Sequence, residues 1–274
     1  MHKGFKTIAA IAVMTAAPTT ASAVELCHVA NAGFLIKGEN ASVLIDGLME
    51  EDQYQGRFAL PSNDHLSAMM ERTGTYENLS LVVSTHRHGD HFDPLATLKH
   101  LRANEGVVYA YPADAVASLE ANGLSEQEKQ RVTSIPDTTQ TDFNVENVTV
   151  QTYDVDHGPN QPQNVGYRIM VDGVSFFHTG DINASRQQLE SAGMNALEVD
   201  ALIMPFWFGM QDAEQLAAVK QSWNAKLVVP THFNPKPQPW MAQFGGLTGV
   251  QESVKSAFER AEIITEEGKC ITVE

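Results

Sequence analysis

The segment STHRHGDHFDP, residues 84–94, concentrates metal-binding side chains directly after the apolar run LSLVVS. Its polar residues include His86, His88, Asp90 and His91, in a chain that has 10 histidines in total. Imidazole and carboxylate groups suit zinc and similar divalent ions, and a tight turn after a buried strand can direct several of them at one point. The alternative is a polar loop whose histidines are merely solvated. That alternative would explain a single histidine, but it explains three histidines and an aspartate less well. The segment therefore predicts a metal site.

Three more potential ligands follow later apolar runs. His157 comes after VTVQTYDV, Asp181 after VSFFHTG and His232 after LVVPT. Each of them alone is more typical of a hydrogen-bonded structural residue at the end of a strand. Together with the ligands of residues 84–94, they supply the number of side chains that two metal ions need.

Apolar runs and helix-like stretches alternate along the chain. The runs that predict strands are FLIKG, ASVLID, LSLVVST, VVYA, VTVQTYDV, VGYRIMV, VSFFHTG, ALIMPF, KLVVP and CITV. The stretches that predict helices, several of them opened by Asp, Ser or Thr caps, are DPLATLKHLRAN, ADAVASLEAN, SRQQLESAG, DAEQLAAVKQSW and TGVQESVKSAFERA. Because the two kinds of element are interleaved, the sequence predicts a layered α/β fold whose strand ends gather the ligands.

The order of these residues resembles the signature of the metallo-β-lactamase superfamily: His-Arg-His-Gly-Asp-His at 86–91, then His157, Asp181 and His232. The resemblance covers nearly all of residues 25–274, and NAGFLIKGENASVLIDG is similar to the first hairpin and the Asp46 turn of such proteins. It implies a four-layer αβ/βα sandwich of two mixed sheets, with helices on the outer faces and the metals at one edge. The outline is most similar to ascorbate-phosphate lactonase and to the phospholipase D that acts on N-acyl-phosphatidylethanolamines.

The resemblance also implies a role for each ligand. The first ion would be held by His86, His88 and His157, and the second by Asp90, His91 and His232, with Asp181 bridging both. True β-lactamases of this fold usually lack such a bridging aspartate, and diiron oxygen reductases usually carry a glutamate at the position of His88. Neither antibiotic hydrolysis nor redox chemistry is therefore expected. The expected cofactors are two divalent ions, zinc first, with iron or manganese as alternatives.

This ligand set predicts hydrolysis without a serine or cysteine nucleophile. Two cations roughly 3.5 to 4 Å apart can share a hydroxide whose parent water has its pKa lowered from about 15.7 toward about 7. Asp90 is the expected catalytic residue, which orients the hydroxide and passes a proton to the leaving group. A protonated His178 is the alternative acid, although this residue is also typical of a core position or of support for the ligands.

The expected substrate is a small, partly apolar ester, lactone or amide. Several apolar side chains on the loops after metal-edge strands either line a pocket or pack beneath those loops: Phe206, Trp207, Phe208, Met210, Trp240, Met241 and Phe244. Apart from Arg87 and Lys236, few cations lie near the motifs, which disfavours a multiply phosphorylated substrate. The alternatives are a phosphodiesterase acting on a lipid or small phosphodiester, and a non-catalytic periplasmic metal-binding protein. Residues 47–78 form either a lid or a surface excursion.

Residues 1–23, MHKGFKTIAAIAVMTAAPTTASA, predict a secretory signal peptide. Lys3 and Lys6 precede a short apolar middle and a small-residue ending. A buried N-terminal helix is the alternative. We expect a periplasmic or secreted protein whose mature part, residues 24–274, is a single hydrolase domain. No later apolar run is long enough to span a bilayer, so no integral membrane segment is expected in the mature chain.

The mature chain is expected to be strongly acidic. The full sequence has 18 basic and 34 acidic residues, and removal of two lysines with residues 1–23 leaves 16 against 34, a formal charge of −18. Nucleic acids and anionic membranes are bound largely through Lys and Arg, so both are poor candidate partners. A small-molecule substrate is the expected partner, and the oligomeric state stays open.

Cys27 and Cys270 are the only cysteines and lie near the two ends of the mature chain. They can form a disulfide only if the first and last strand-like runs pack side by side. An oxidising periplasm would allow this bridge, and two buried free thiols are the alternative.

Overall fold

The structure is a computed structural model that describes residues 23–137, 140–209, 212–233 and 239–274. The predicted signal peptide lies outside the described residues, apart from Ala23. Within the described ranges, no helix is both long enough and apolar enough to cross a membrane.

Two mixed sheets form the centre of the fold. The first contains β1 Val24–Ala30, β2 Gly33–Lys37, β3 Ser42–Ile45, β4 Leu79–Val83, β5 Val108–Pro112, β6 Val132–Ile135 and β13 Cys270–Val273. Its strand order is β13-β1-β2-β3-β4-β5-β6, and we call it sheet A. Sheet B contains β7 Asp142–Val145, β8 Val148–Asp154, β9 Val165–Val171, β10 Val174–His178, β11 Leu197–Pro205 and β12 Trp223–Thr231. Its strand order is β12-β11-β10-β9-β8-β7.

Six α-helices connect or follow these strands within the described residues. They are α1 Asn63–Glu71, α2 Pro94–Ala103, α3 Ala113–Ala121, α4 Arg186–Ser191, α5 Ala213–Ser222 and α6 Gly246–Ala257. Several of these helices begin at a capping residue. Its side chain accepts hydrogen bonds from the first N–H groups, because those groups have no partner within the helix. Asp93 accepts from the N–H groups of Leu95 and Ala96 at the start of α2, and Ser185 forms a capping box with Gln188 at α4.

Alternation along the strands builds the four layers. On β2, Phe34 and Ile36 enter the core between the two sheets, whereas Leu35 faces the opposite side of sheet A. Side chains alternate in this way because successive residues of a strand point to opposite faces. Burial of a side chain such as Phe34, which is fully covered, contributes about 1.5–3 kcal/mol.

Helices cover both outer faces. Met69 of α1, Leu98 of α2 and Leu119 of α3 pack in one core with the outer face of sheet A. Leu189 of α4 and Val219 of α5, together with α6, pack in another core with the outer face of sheet B. The predicted four-layer αβ/βα sandwich is therefore confirmed.

Parallel strands explain why the predicted ligands meet at one edge. Strands β3 to β6 are parallel in sheet A, and β10 to β12 are parallel in sheet B. The segments that follow the carboxyl ends of β4, β10 and β12 carry His86, Asp181 and His232. Carboxyl ends of parallel strands lie at the same edge of a sheet, which brings distant parts of the sequence together.

The two ends of the described chain are joined. Strand β13 pairs antiparallel with β1, and Cys27 lies opposite Cys270. The two cysteines form a disulfide, with Cα atoms 3.9 Å apart. Of the two alternatives left open for these cysteines, the structure has the bridge rather than two free thiols.

Candidate metal centre

Residues 84–91 leave β4 as a tight turn. The Ser84 hydroxyl donates to the carbonyl oxygens of His86 and His91, at 3.2 and 3.0 Å. The N–H of His91 donates to the carbonyl oxygen of His88 over 2.9 Å. These bonds curl the chain so that its histidines reach one space at the edge of the sheets.

His86, His88 and His157 form the first set of donors, which we call the histidine group. Their ligand atoms lie within 4.8 Å of one another. The Nδ1 atom of His88 lies 3.3 Å from the Nε2 atom of His157. His86 is fully buried, whereas the other two are partly exposed.

Asp90, His91 and His232 form the second set, which we call the mixed group; all three are buried. The Oδ2 atom of Asp90 lies 3.5 Å from Nε2 of His91 and 3.7 Å from Nε2 of His232. His232 has a positive φ of 65°, a backbone conformation that is uncommon outside glycine. Conformations of this kind cluster at functional sites.

Asp181 lies between the two groups. Its Oδ2 atom is 4.0 Å from Nε2 of His86 and 4.0 Å from Nε2 of His157. Its Oδ1 atom is 3.4 Å from Nε2 of His91 and 3.1 Å from Nε2 of His232. One carboxylate oxygen thus faces each group, which is the arrangement that a bridging ligand requires.

Hydrogen bonds behind the ligands select the imidazole nitrogen that faces the centre. Buried Asp46 accepts from the N–H and hydroxyl of Thr85, each over 2.7 Å, and from Nδ1 of His91 over 2.8 Å. Because the Thr85 hydroxyl donates to Asp46, its oxygen accepts from Nδ1 of His86, 3.0 Å away. With Nδ1 engaged in this way, His86 and His91 both turn Nε2 toward the centre.

His178 supports the loop that carries Asp181. Its Nε2 atom donates to the carbonyl oxygen of Ala32 over 2.9 Å, and its Nδ1 atom accepts from the N–H of Gly180 over 3.0 Å. Gly180 has a φ of 60°, and a Cβ atom there would collide with the side chain of Asn164. Since both nitrogens of His178 are engaged, the geometry opposes its alternative role as the acid.

The electrostatics of the centre favour a bound cation. Burial alone would lower the pKa of His91, but the charges of the surrounding carboxylates, Asp181, Asp90 and Asp46, raise it to about 10. Burial would raise the pKa of Asp181, but the charges of His232 and His91 hold it well below its usual value. The carboxylates thus keep a proton on His91, and a divalent cation would take the place of that proton.

The donor atoms also fit divalent ions. The Nε2 atom of His86 is buried and has no hydrogen-bond partner among the described residues. Burial, followed by the charge of His91, lowers the pKa of His86 well below its usual value, so that this imidazole is neutral. A buried, unpaired lone pair is costly unless an ion or a donor meets it. The histidine group would hold one ion and the mixed group a second, with Asp181 facing both.

Three partly exposed aromatic side chains lie on the side of the centre where His232 is, and we call them the aromatic rim: Tyr54, Phe58 and Trp207. The ring centroids of Trp207 and Phe58 lie 4.7 and 6.4 Å from that of His232. Tyr54 packs edge-on against Phe58 at 5.0 Å. The mixed group therefore borders a partly apolar surface.

The apolar residues of the loops after metal-edge strands, for which a pocket wall and packing were both open, belong mostly to the core. Phe206, Phe208 and Met241 are buried in the outer core of sheet B, with Phe244 packed against it. Met210, Lys236 and the side chain of Trp240 lie outside the described part of the chain. Trp207 alone is seen to face the centre, so ordinary packing accounts for the buried residues.

Residues 50–58 cover the ligand turn. The N–H groups of Glu50 and Glu51 both donate to Oδ2 of Asp93, over 3.1 Å each. The side chain of Gln53 occupies the place that a Cβ atom of Gly89 would need. The stretch 47–78 also contains α1, so that it is partly a packed helix rather than a single surface loop.

Sequence reasoning does not identify several residues that shape the centre: Thr85, Asn164, Tyr54 and Phe58. Thr85 directly precedes His86, so its place beside the motif is a usable signal. Asn164 accepts from the N–H of Asp181 over 3.2 Å, a contact that no local spacing indicates.

The sequence of residues 25–232 matches the family model described as the β-lactamase superfamily domain. No curated protein sequence matches the chain.

Among solved structures, the fold is similar to Igni18, a metallo hydrolase from Ignicoccus hospitalis, at 17% identity over 92% of this chain and 99% of that one, with a TM-score of 0.58. It is also similar to YhfI of Bacillus subtilis, a metallo-β-lactamase fold protein, at 13% identity over 91% and 99%, with a TM-score of 0.60. A third similar structure is an isothiocyanate hydrolase from Delia radicum gut bacteria, at 15% identity over 90% and 98%, with a TM-score of 0.56.

Proposed function

Since the chain belongs to the β-lactamase superfamily, we propose that it is a metal-dependent hydrolase that uses two divalent ions. The observation that carries this proposal is the position of Asp181, whose two oxygens face the histidine group and the mixed group. A carboxylate shared by two donor groups is suited to paired ions that act on one substrate. Zinc is the first candidate, and iron and manganese are accepted by the same donor types.

Bound divalent ions supply a nucleophilic water at neutral pH and a positive charge for the oxygen that becomes negative during attack. Asp90 accepts the proton of the nucleophile and passes it to the leaving group. It is buried, and its Oδ2 atom already faces His91 and His232. The aromatic rim excludes water on the side of His232 and receives the apolar part of the substrate.

The substrate is a small, partly apolar ester, lactone or amide. Arg87, the cation within the ligand turn, forms an ion pair with Asp114 at 3.0 Å. A second described cation, Arg57, lies over the ring of Phe58, 5.3 Å from its centroid. The preference for a neutral substrate over a phosphodiester rests on the apolar contact that the aromatic rim supplies.

We place the protein outside the cytoplasm. The Cys27–Cys270 disulfide supports this location, because disulfides persist in oxidising compartments such as the periplasm. The signal-like segment 1–23 is the second support. Fractionation of cells, with mass spectrometry of the N-terminus, tests the location, and a chain that starts at Met1 in the cytosol would contradict it.

A turnover screen tests the activity. The purified protein is loaded with zinc, iron or manganese and assayed on chromogenic lactone, ester, anilide, isothiocyanate and bis-phosphodiester substrates, with metal content measured in parallel. We expect kcat/KM for the ester or lactone to exceed that for the phosphodiester by at least about tenfold, equal to about 1.4 kcal/mol. Asp181→Ala is the matched inactive variant.

The other outcomes separate the alternatives. Preference for the phosphodiester would support a phosphodiesterase on the same centre. A protein that binds two ions and turns over no substrate in the screen would support a non-catalytic metal-binding role. Preference for the isothiocyanate would mean that the proposed substrate class is wrong, and that the enzyme attacks the carbon of another electrophile rather than an acyl group.

A further inference from the structure

The turn between β1 and β2 places an asparagine beside the candidate centre. Asn31 is buried and has a positive φ of 44°. Few residues other than glycine adopt this left-handed conformation, and asparagine is one of those that do. The backbone of the turn thus restricts which residues can stand at this position.

The side chain of Asn31 binds Asp90 twice. Its Nδ2 atom donates to Oδ2 of Asp90 over 3.1 Å and to the carbonyl oxygen of Asp90 over 3.3 Å. Both acceptors are oxygens without hydrogens, so the NH₂ end of the amide must face them. The same Oδ2 atom faces the Nε2 atoms of His91 and His232.

The backbone of this turn also contacts sheet B. The carbonyl oxygen of Asn31 accepts from the N–H of His232 over 3.4 Å. The carbonyl oxygen of Ala32 accepts from Nε2 of His178 over 2.9 Å. Two adjacent residues of this hairpin of sheet A therefore bind Asp90 on one side. On the other side they bind the last residue of β10 and the loop that follows β12.

Asparagine is the residue type that satisfies both demands. Glycine tolerates the backbone but has no side chain to donate. Aspartate also tolerates it, yet would place a second carboxylate against Asp90, and two adjacent carboxylates disfavour ionisation of both. Asparagine supplies a neutral donor of the right length, which leaves the charge of Asp90 available to an ion.

We propose that Asn31 is a positioning residue, whose amide holds the Asp90 carboxylate in the orientation that completes the mixed group for metal binding. This role rests on the proposed function only in that the mixed group binds an ion. Hydrogen bonds behind metal ligands orient them, and their loss typically lowers metal affinity about 10- to 100-fold. The effect falls on the mixed group, because the described contacts of Asn31 reach Asp90 and His232 rather than the histidine group.

Two substitutions separate the effect of the Asn31 amide from the effect of its backbone conformation. Asn31→Gly keeps the left-handed turn and removes the donor, and Asn31→Asp keeps the shape and replaces the donor by a carboxylate. The matched control is Ala196→Gly, at an exposed position with a φ of 53° far from the centre. Each purified variant is titrated with Zn²⁺ to obtain stoichiometry and affinity, and with Co²⁺ to record the visible absorption of the bound ion.

We expect Asn31→Gly and Asn31→Asp to bind one ion as the wild type does and to lose about 10- to 100-fold in affinity for the other. The cobalt spectrum of that other site should change, while Ala196→Gly retains both ions and the wild-type spectrum. Lower thermal stability with both affinities and the spectrum unchanged would overturn the proposal, since Asn31 would then support only the fold. A wild type that binds no second ion would overturn the proposed function, and this role with it.

Discussion

The Nε2 atoms of His91 and His232 lie 3.0 Å apart in the buried centre. The other nitrogen of His91 is held by Asp46, and that of His232 lies 2.8 Å from the hydroxyl of Thr231. Two lone pairs at this separation repel each other unless a proton or a cation relieves them. The arrangement is therefore suited to a bound ion.

Removal of metal should destabilise the fold. An ion that binds only the folded state at about 100 times its Kd adds about 2.7 kcal/mol to the free energy of unfolding. We expect chelation followed by dialysis to lower Tm, and readdition of zinc to restore it. His232→Ala should reduce the restoration, because one donor of the mixed group is missing. Equal Tm values with and without metal would contradict this view of the centre.

Asp181→Ala and His232→Ala should differ in the number of ions that they affect. The carboxylate of Asp181 faces both donor groups, whereas His232 belongs to the mixed group alone. We expect Asp181→Ala to weaken both ions and His232→Ala to weaken mainly one. Metal analysis by mass spectrometry measures this, with His65→Ala, outside both groups, as the control. If each variant lost one ion per protein, and the same one, Asp181 would be excluded as a bridge.

The aromatic rim should determine preference for apolar substrates. Phe58→Ala and Trp207→Ala remove rings that lie edge-on to His232. We expect kcat/KM for a long-chain or aryl acyl ester to fall by about tenfold or more. The acetyl ester with the same leaving group should be nearly unaffected, and metal content should be unchanged. Equal losses for both esters would indicate a general structural role instead.

The candidate ligands are predictable from sequence because strand ends carry them. Each candidate ligand comes directly after a Val-, Ile- or Phe-rich run, and the fold brings those ends to one edge. The strands that sequence reasoning leaves out are β1, β6 and β7. Strand β7, DFNV, lies at the edge of sheet B with one buried residue, so it has little apolar signal.

The supporting contacts are less predictable, because they join segments that are distant in sequence. Asn31 reads as a turn residue between two apolar runs, but its contact with Asp90 spans 59 positions. The apolar loop after β11 is compatible with a pocket wall and with packing, and Phe206 and Phe208 belong to the outer core of sheet B. A pocket wall and a packed core differ only in the direction of each side chain. The local sequence pattern does not give that direction.

Stability should decrease below neutral pH partly through His100. This histidine is buried; Nδ1 lies 2.6 Å from the hydroxyl of Tyr109, and Nε2 donates to the carbonyl oxygen of Met69 over 3.2 Å. Burial lowers its pKa to about 4. His100 therefore binds a proton near pH 6.5 in the unfolded chain but not in the folded chain. The free energy of unfolding falls as the pH drops from about 6.5 to about 4.

The expected loss through His100 reaches about 3 kcal/mol as an upper figure, since each pKa unit corresponds to about 1.4 kcal/mol. Urea unfolding of the wild type and His100→Gln at pH 7 and pH 4.5 measures it. The variant should be less stable at pH 7 and should lose less on acidification. Parallel pH dependence of the two proteins would show that His100 titrates normally.

The Cys27–Cys270 disulfide should stabilise the fold through the unfolded chain. The bridge joins residues separated by 243 positions. The chain-entropy model gives about 5 kcal/mol for a loop of this size, as an upper figure, because residual structure in the unfolded chain reduces it. We therefore expect Cys27→Ser and Cys270→Ser each to lower the free energy of unfolding by an amount within this limit.

The double variant distinguishes the covalent bond from packing of the cysteine side chains. Either single substitution already breaks the bridge, so Cys27→Ser/Cys270→Ser should cost little more than one substitution, a strongly non-additive result. Thiol titration of the denatured, unreduced wild type should find no reactive thiol, whereas protein made in a reducing cytosol should show two and unfold at the lower stability of the variants. Additive losses, or two thiols in exported protein, would mean that β1 and β13 are held by their strand pairing alone.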